Sequence, residues 1–589
     1  MAQVEEHEHD VVVIGAGGAG LRAAIESSAR GARTALVCKS LLGKAHTVMA
    51  EGGIAAALGN VDARDDWRIH FQDTLFGGKY LNNWRMAEIH AKEAPERVRE
   101  LERWGGVFDR TADGRMSQRA FGGHTYRRLV HIGDRTGLEL IRTLQDKGVH
   151  EGIDVFMECT ITRLLKDGDK VCGAFGYWRA TGEFVVFKAR AVVLATGGLG
   201  KCYRITSNSW EYTGDGHALG FHAGADLVDM EFVQFHPTGM IWPPGVVGLL
   251  VTEAVRGEGG ILRNGRGERF MEHYDPKRME LSTRDVVARA IYTEVKEGRG
   301  SPRGGVFLDV SHLPAAVVKR KLPSMYEQFR GLAGVDITRE PMEIWPTCHY
   351  AMGGISVDPE TGASRVPGLF AVGECSGGMH GANRLGGNSL SDLLVFGKRA
   401  GQGAAGYAAH APSAPVDRGQ VDQAADEMLG YLSGSGGEDP YSLHAELQSA
   451  MHELVGIFRD RDGLLRAVGR LEELSQRARR VGDRSAGRAY NPGWHHCHEL
   501  QNLLVCAEAV TRSALRREES RGAHSRLDFP AYDGFWGDHN LVVHRGASGM
   551  EVEPRPVALV AELEPLVAER KAAEAAAAAA VPDEIEIGP

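Results

Sequence analysis

The sequence predicts an α/β fold built on a parallel sheet, with an inserted α+β cap, a helical domain and a small C-terminal region. Three observations carry this. Residues 11–14 (VVVI) form a continuous β-branched run, the pattern of a parallel strand buried on both faces. GAGGAG follows at 15–20, then a helical stretch to about Arg30 and a second strand at 34–38, a βαβ opening of Rossmann-like type. Apolar strands at 191–195 and 368–372 close on Thr196-Gly197-Gly198 and Gly373-Glu374, so one nucleotide domain is assembled from distant segments.

The domain reading follows from composition shifts. Residues 1–237 form the first part of the nucleotide domain, and the charged and polar stretch at 238–349 is read as the inserted cap. Residues 350–412 return to the nucleotide domain. Helical periodicity rich in Arg and Glu marks 413–530 as a helical domain, and 531–589 is the C-terminal region, ending from Lys571 in an Ala-rich, then acidic, mobile tail.

A chain of 589 residues exceeds one core, and 43% hydrophobic with 25% charged residues is ordinary for a globular protein. The net charge of −10 disfavours nucleic acid, which needs a concentrated basic face. Eight cysteines without a CxxC pair favour a reducing compartment and carry no iron–sulfur or haem pattern, so any onward electron carrier sits on another chain. No signal sequence and no apolar run of ~20 residues stands out, so membrane attachment is expected through partners.

Gly15, Gly17 and Gly20, with Ala16, Gly18 and Ala19 between them, let a backbone approach a pyrophosphate at a helix N-terminus. Lys39-Ser40 stand where the acidic ribose partner of a plain NAD site belongs. KAHTVMAEGGI at 44–54 then points to a flavin. Thr47 suits phosphate, Gly52-Gly53 let a flat ring lie on the backbone, and the His46 imidazole is a nucleophile able to tether the ring. Further groups cluster by type: FHPTG at 235–239 with His236, TEAVRGE at 252–258 with Thr252, Glu253 and Arg256, STRD at 282–285 with Arg284, then His349 and Arg384. Several Arg and His groups beside a flavin loop suit a small dicarboxylate. His495-His496-Cys497-His498 has the composition of a metal box, but four consecutive residues cannot converge on one ion from regular backbone, so no metal is assigned.

At these residues the chain resembles the flavoprotein subunit of succinate dehydrogenase/fumarate reductase over about residues 10–530. AHTVMAEGGI, DRTG, ATGG, TGDG, QFHPTG, TEAVRGEGG, RDVVARA, HYAMGGI, HGANRLGGNSL and ESRGAH occur in family order. The resemblance implies FAD joined covalently through His46. It implies a cofactor site made of residues 15–20, of 39–53 (among them Lys39, Ser40, Thr47, Glu51 and Gly52), of Ala195, Thr196, Gly197, Asp215 and Glu374, and of Asn388, Ser389 and Leu390. It implies that His236, Thr252, His349 and Arg384, with Phe121 and Gly53, hold succinate or fumarate. Arg284 matches the family's proton-transferring residue, with Glu253 and Arg256 as its relay. The implied partners are a quinone-binding membrane anchor and an iron–sulfur subunit, which place the chain peripherally on the cytoplasmic face of the cell membrane. Two departures stand out: Lys44-Ala45 replaces the family's usual Arg-Ser pair, and Glu51 stands where many succinate dehydrogenases have Gln and several fumarate reductases have Glu. Soluble fumarate reductases and L-aspartate oxidases share the scaffold, but the former often carry haem motifs absent here and the latter generally lack the flavin-linking His. A non-catalytic flavin-binding scaffold is disfavoured by Arg284, His236, His349 and Arg384 together.

Overall fold

The structure, a computed structural model, describes residues 4–579 except 433–436, 484, 486 and 548. Its central sheet has seven strands. Asp154–Phe156, Thr34–Val37, Val4–Ile14, Phe184–Leu194 and Leu369–Ala371 run parallel, and Lys170–Trp178 with Cys159–Asp167 extend it antiparallel. Val11, Val12 and Val13 have no exposed surface: Val11 and Val13 pack in the cluster that holds Leu21 and Leu394 of two covering helices, and Val12 in the cluster that holds Ile161 and Leu164 of the antiparallel strands. The first strand starts at Val4, well before the expected Val11, since residues 4–9 pair with 184–189.

Two helices lock together on this sheet. Helix Gly18–Ala29 packs against Asn388–His410, and a Cβ at Gly401 would lie 2.3 Å from the Ala23 carbonyl oxygen, so only glycine permits the approach. That contact brings residues 388–393 to the same end of the sheet as the 15–20 loop.

The expected cap boundaries fall inside strands. Val233–Met240 contains the 237/238 boundary and Met342–Ala351 contains 349/350, and the two strands pair antiparallel with Phe235 opposite Cys348. A cross-strand ladder holds both ends of the insertion together, so its entry and exit are one structural base. Val306–Asp309 and Ile261–Arg263 complete this second sheet, and helix Arg284–Lys296 lays Val287, Ala290 and Ile291 onto it.

Helices Pro440–Leu454, Arg461–Ala478 and Pro492–Arg516 form a bundle beyond the nucleotide domain. The hairpin His539–Gly546/Gly549–Pro556 joins Leu227–Val228 and Gly354–Ile355 in a third sheet. The tail expected to be mobile from Lys571 is helical, Glu564–Ala579, because alanine has the highest helix propensity; residues 580–589 lie outside the described residues. Among the described residues no helix is long and apolar enough to cross a membrane.

Candidate active site

A cleft opens at the C-terminal ends of the parallel strands and encloses about 1230 Å³ of empty space including its mouth. Gly15, Ala16, Gly17, Gly18 and Ala19 form one end. The helix starting at Gly18 has no side-chain cap and no acidic residue in its first turn, which leaves N–H groups and a positive dipole end for an anion. Thr47 Oγ1 accepts from Gly18 N–H at 3.2 Å and ties the second loop to the first. Gly15 has φ +110°, and a Cβ there would meet Ala195 O at 2.2 Å. Gly20 is not on the cleft wall; a Cβ there would sit 1.8 Å from Gly15 O, so it serves the turn rather than the ligand.

Ala195, Thr196, Gly197, Lys39, Ser40, Asp215, Glu374, Ser389 and Leu390 line the middle. Lys39 Nζ is spent within the wall, on Asp215 Oδ2 at 2.9 Å, Thr213 Oγ1 at 2.6 Å and Glu499 Oε1 at 3.3 Å. Burial pushes Glu374 up to about 8, although it accepts from Ala351 N–H at 3.0 Å. Asn388 is not on the cleft wall: its amide is taken by His70 Nε2 at 2.9 Å and Thr74 Oγ1 at 3.0 Å, anchoring helix Trp67–Gly77. Glu51 and Gly52 also lie off the cleft wall. Gly52 packs on the Phe121 ring, and Gly53 (φ +134°) sits against the Val130 carbonyl. Burial, then Asp134, raises the Glu51 carboxyl well above its usual range.

His46 faces the cleft from the short helix His46–Met49, with its ring 4.6 Å from that of Tyr212. Ser209 N–H donates to its Nδ1 at 3.3 Å, and Asn208 Nδ2 lies 3.3 Å from Nε2. Desolvation, reinforced by Lys201, pushes its pKa down to about 4, so the ring is neutral at physiological pH.

Beside the cleft the two linking strands bring the His236 and His349 rings to 5.1 Å. Thr252 lies at the start of the short helix Ala254–Gly257. Arg284, first in its helix, donates from Nε to Glu253 Oε2 at 2.8 Å and from Nη1 to Gln234 Oε1 at 3.2 Å. Arg384 donates to the same Gln234 oxygen at 3.1 Å and to Ser389 Oγ at 2.7 Å, with its guanidinium 4.3 Å over the Tyr350 ring. Burial, then Arg284, lowers the Arg384 pKa to about 9; a buried cation beside another cation lacks an anion. Burial would raise Glu253, but Arg284, Arg256 and the Gly122 N–H, donating at 2.8 Å, hold it below the usual carboxylate range. Arg256 Nη2 stands 3.6 Å from Glu253, an ion pair without a direct hydrogen bond, and is itself buried.

Gln234 is the residue that sequence reasoning missed. Its NH₂ donates to Arg384 O and Asn383 Oδ1, both at 2.8 Å, which forces its carbonyl toward the two guanidinium groups. The signal was present: Gln234 is two residues from His236 on one strand, hence on the same face. The HHCH side chains diverge along helix Pro492–Arg516: His495 meets Tyr177, His496 meets His444, and Cys497 points into the core.

The loop, the uncapped helix end and a neutral imidazole fit FAD, and the cleft opens toward a cationic pocket; together they define a flavin-dependent oxidoreductase. The family described as FAD binding domain matches residues 10–390, and that described as fumarate reductase flavoprotein C-term matches 444–571. The chain belongs to the succinate dehydrogenase/fumarate reductase flavoprotein family. It is similar to a subunit of the fumarate reductase (CoM/CoB) of Methanothermobacter marburgensis, 48% identical over 90% of this chain and 96% of that one. It is likewise similar to the succinate dehydrogenase flavoprotein subunit of Coxiella burnetii, 40% identical over 93% and 96%. The solved Mycobacterium smegmatis Sdh1 in complex with UQ1 is 54% identical over 100% of both chains, with a TM-score of 0.87.

Proposed function

We propose that this chain catalyses the interconversion of succinate and fumarate, with FAD joined through His46. Bound FAD would supply the hydride acceptor or donor for one of the two central substrate carbons. The chain's residues do the rest. Arg384, His236, His349 and Thr252 grip the two carboxylates and set the reacting carbons against the ring, replacing a random encounter with an oriented one. Phe121 and Gly53 bound the pocket. Arg284 moves the proton at the neighbouring carbon, and Glu253, backed by Arg256, restores its charge. The insertion between the two linking strands excludes water when closed.

One observation carries the reading. Two buried arginines meet at a single neutral acceptor, Gln234 Oε1; Arg284 is paired with Glu253, whereas Arg384 makes no ion pair among the described residues and so retains its charge for a substrate carboxylate.

Electrons pass to or from an iron–sulfur subunit, and through a membrane anchor to quinone, with the chain held peripherally at the cytoplasmic face. The domains follow the sequence reading, with residues 233–240 and 342–351 as a shared base between the FAD-binding domain and the cap. Dye-linked succinate oxidation by the purified, flavin-loaded protein tests the function. Turnover with competitive inhibition by malonate is expected; a fully yellow protein that neither oxidises succinate nor binds malonate contradicts it.

A further inference from the structure

Asp73 lies on helix Trp67–Gly77 with no exposed surface, and it gathers four donors. Thr125 donates from its N–H at 2.8 Å and from its Oγ1 at 2.6 Å, and Arg128 Nη2 stands at 2.9 Å. The fourth comes from the other end of the chain: Arg570 Nη1, on helix Glu564–Ala579, lies 2.8 Å from Asp73 Oδ1. The Arg570 guanidinium also covers the Phe76 ring at 4.1 Å, and Gln72 Nε2 donates to the Leu566 carbonyl. Leu563 and Val567 of the C-terminal segment share a hydrophobic cluster with Phe71, Leu75 and Tyr350, so the helix is docked by burial as well as by charge.

The loop that Asp73 holds runs back to the relay. Residues 121–125 are wedged between the cap and the 380–390 segment. Gly122 N–H donates to Glu253 Oε1 at 2.8 Å, and His124 Nε2 lies 2.8 Å from Gly386 O. A Cβ at Gly122 would stand 3.0 Å from Glu253 Oε1 and from the carbonyls of Leu281 and Ser282, just ahead of Arg284. The fit leaves little room for the loop to shift without moving the Glu253 contact.

We propose that Asp73, secured by Arg570 of the C-terminal helix, is a positioning residue that fixes loop 121–125 and so keeps the Gly122 N–H on the Glu253 carboxylate. This rests on the relay reading of Glu253 given above. The groups facing Glu253 are Arg284, Arg256, Arg384 and His124, all unaltered by a change at residue 570. The Gly122 bond is one of the contacts holding Glu253 low. Its loss raises that carboxyl toward its ordinary value, and activity that needs the carboxylate is then lost at a higher pH as the pH falls.

The test uses the full flavin-loaded protein with Arg570→Ala and Arg570→Lys, read by hydrogen exchange of the peptide spanning residues 121–125 and by the pH profile of succinate oxidation. Arg570→Ala should speed exchange in that peptide about five- to tenfold. It should move the acid limb of kcat upward by about half to one pH unit, with KM for succinate within about twofold of the parent. Arg570→Lys, which keeps the charge on Asp73, should restore both. Parental exchange in Arg570→Ala overturns the proposal. So does a kcat that falls equally at every pH with the limb unmoved, or a lysine variant no better than alanine. The relay reading fails on different grounds, namely turnover retained by Arg284→Ala.

Discussion

Replacing Arg284 with alanine should lower kcat for succinate oxidation by about 10²–10⁴-fold, the range for removing a general acid/base, while FAD remains bound. Arg284 does not line the cleft, so the cofactor site is untouched. Its two observed contacts, Nε to Glu253 and Nη1 to Gln234, need the planar fork of a guanidinium, so Arg284→Lys should also fail. Arginine is a poor resting base because its pKa exceeds ~12. The arrangement answers this with a buried carboxylate 2.8 Å away, so Arg284 need be deprotonated only in passing. Rapid-quench turnover measured beside flavin absorbance separates the outcomes: flavin retained with turnover lost supports the role, and flavin retained with turnover retained rejects it.

The second large effect is expected from Gln234→Glu. The glutamine oxygen sits between Arg284 and Arg384 and orders both without cancelling their charge. A carboxylate of the same shape pairs with both guanidinium groups and meets the incoming dianion with a like charge. Charge-assisted hydrogen bonds contribute about 1.5–3 kcal/mol. Losing that much binding to the substrate carboxylates lowers kcat/KM by about 10–150-fold, chiefly through KM. Gln234→Asn keeps charge neutrality and shortens the reach, and should cost less in KM than the glutamate. Steady-state kinetics on the two variants decide it, and an unchanged KM in Gln234→Glu removes Gln234 from the substrate pocket.

The nucleotide end of the cleft was the most legible part of the chain. VVVI and the glycine spacing encode it locally, and the structure puts residues 15–19 on the wall while using Gly20 for the turn. His46 was legible for a similar reason: it follows that loop within a few dozen residues and reaches the same cleft. Lys39 and Asn388 were less so, because their partners, Asp215 with Glu499 and His70 with Thr74, lie more than a hundred residues away. Gln234 was hidden by its neutrality, since a search for charged or nucleophilic side chains passes over an amide whose role depends on two arginines meeting in space. The cap boundaries were drawn where composition changes, at 238 and 349, whereas the strand pairing that joins the two ends runs from Val233 to Ala351, because pairing between distant segments leaves no mark in composition. The C-terminal segment looked uninformative as a string of alanines, yet Arg570 within it reaches Asp73.

The proposed covalent bond to the flavin requires a neutral His46 at the cleft wall. Mass analysis of the proteolytic peptide containing His46, taken from acid-denatured protein, tests it most directly. A yellow peptide heavier by one flavin moiety is expected, with an unmodified mass at that position in His46→Ala. A peptide of unmodified mass from a fully yellow, active preparation would contradict it.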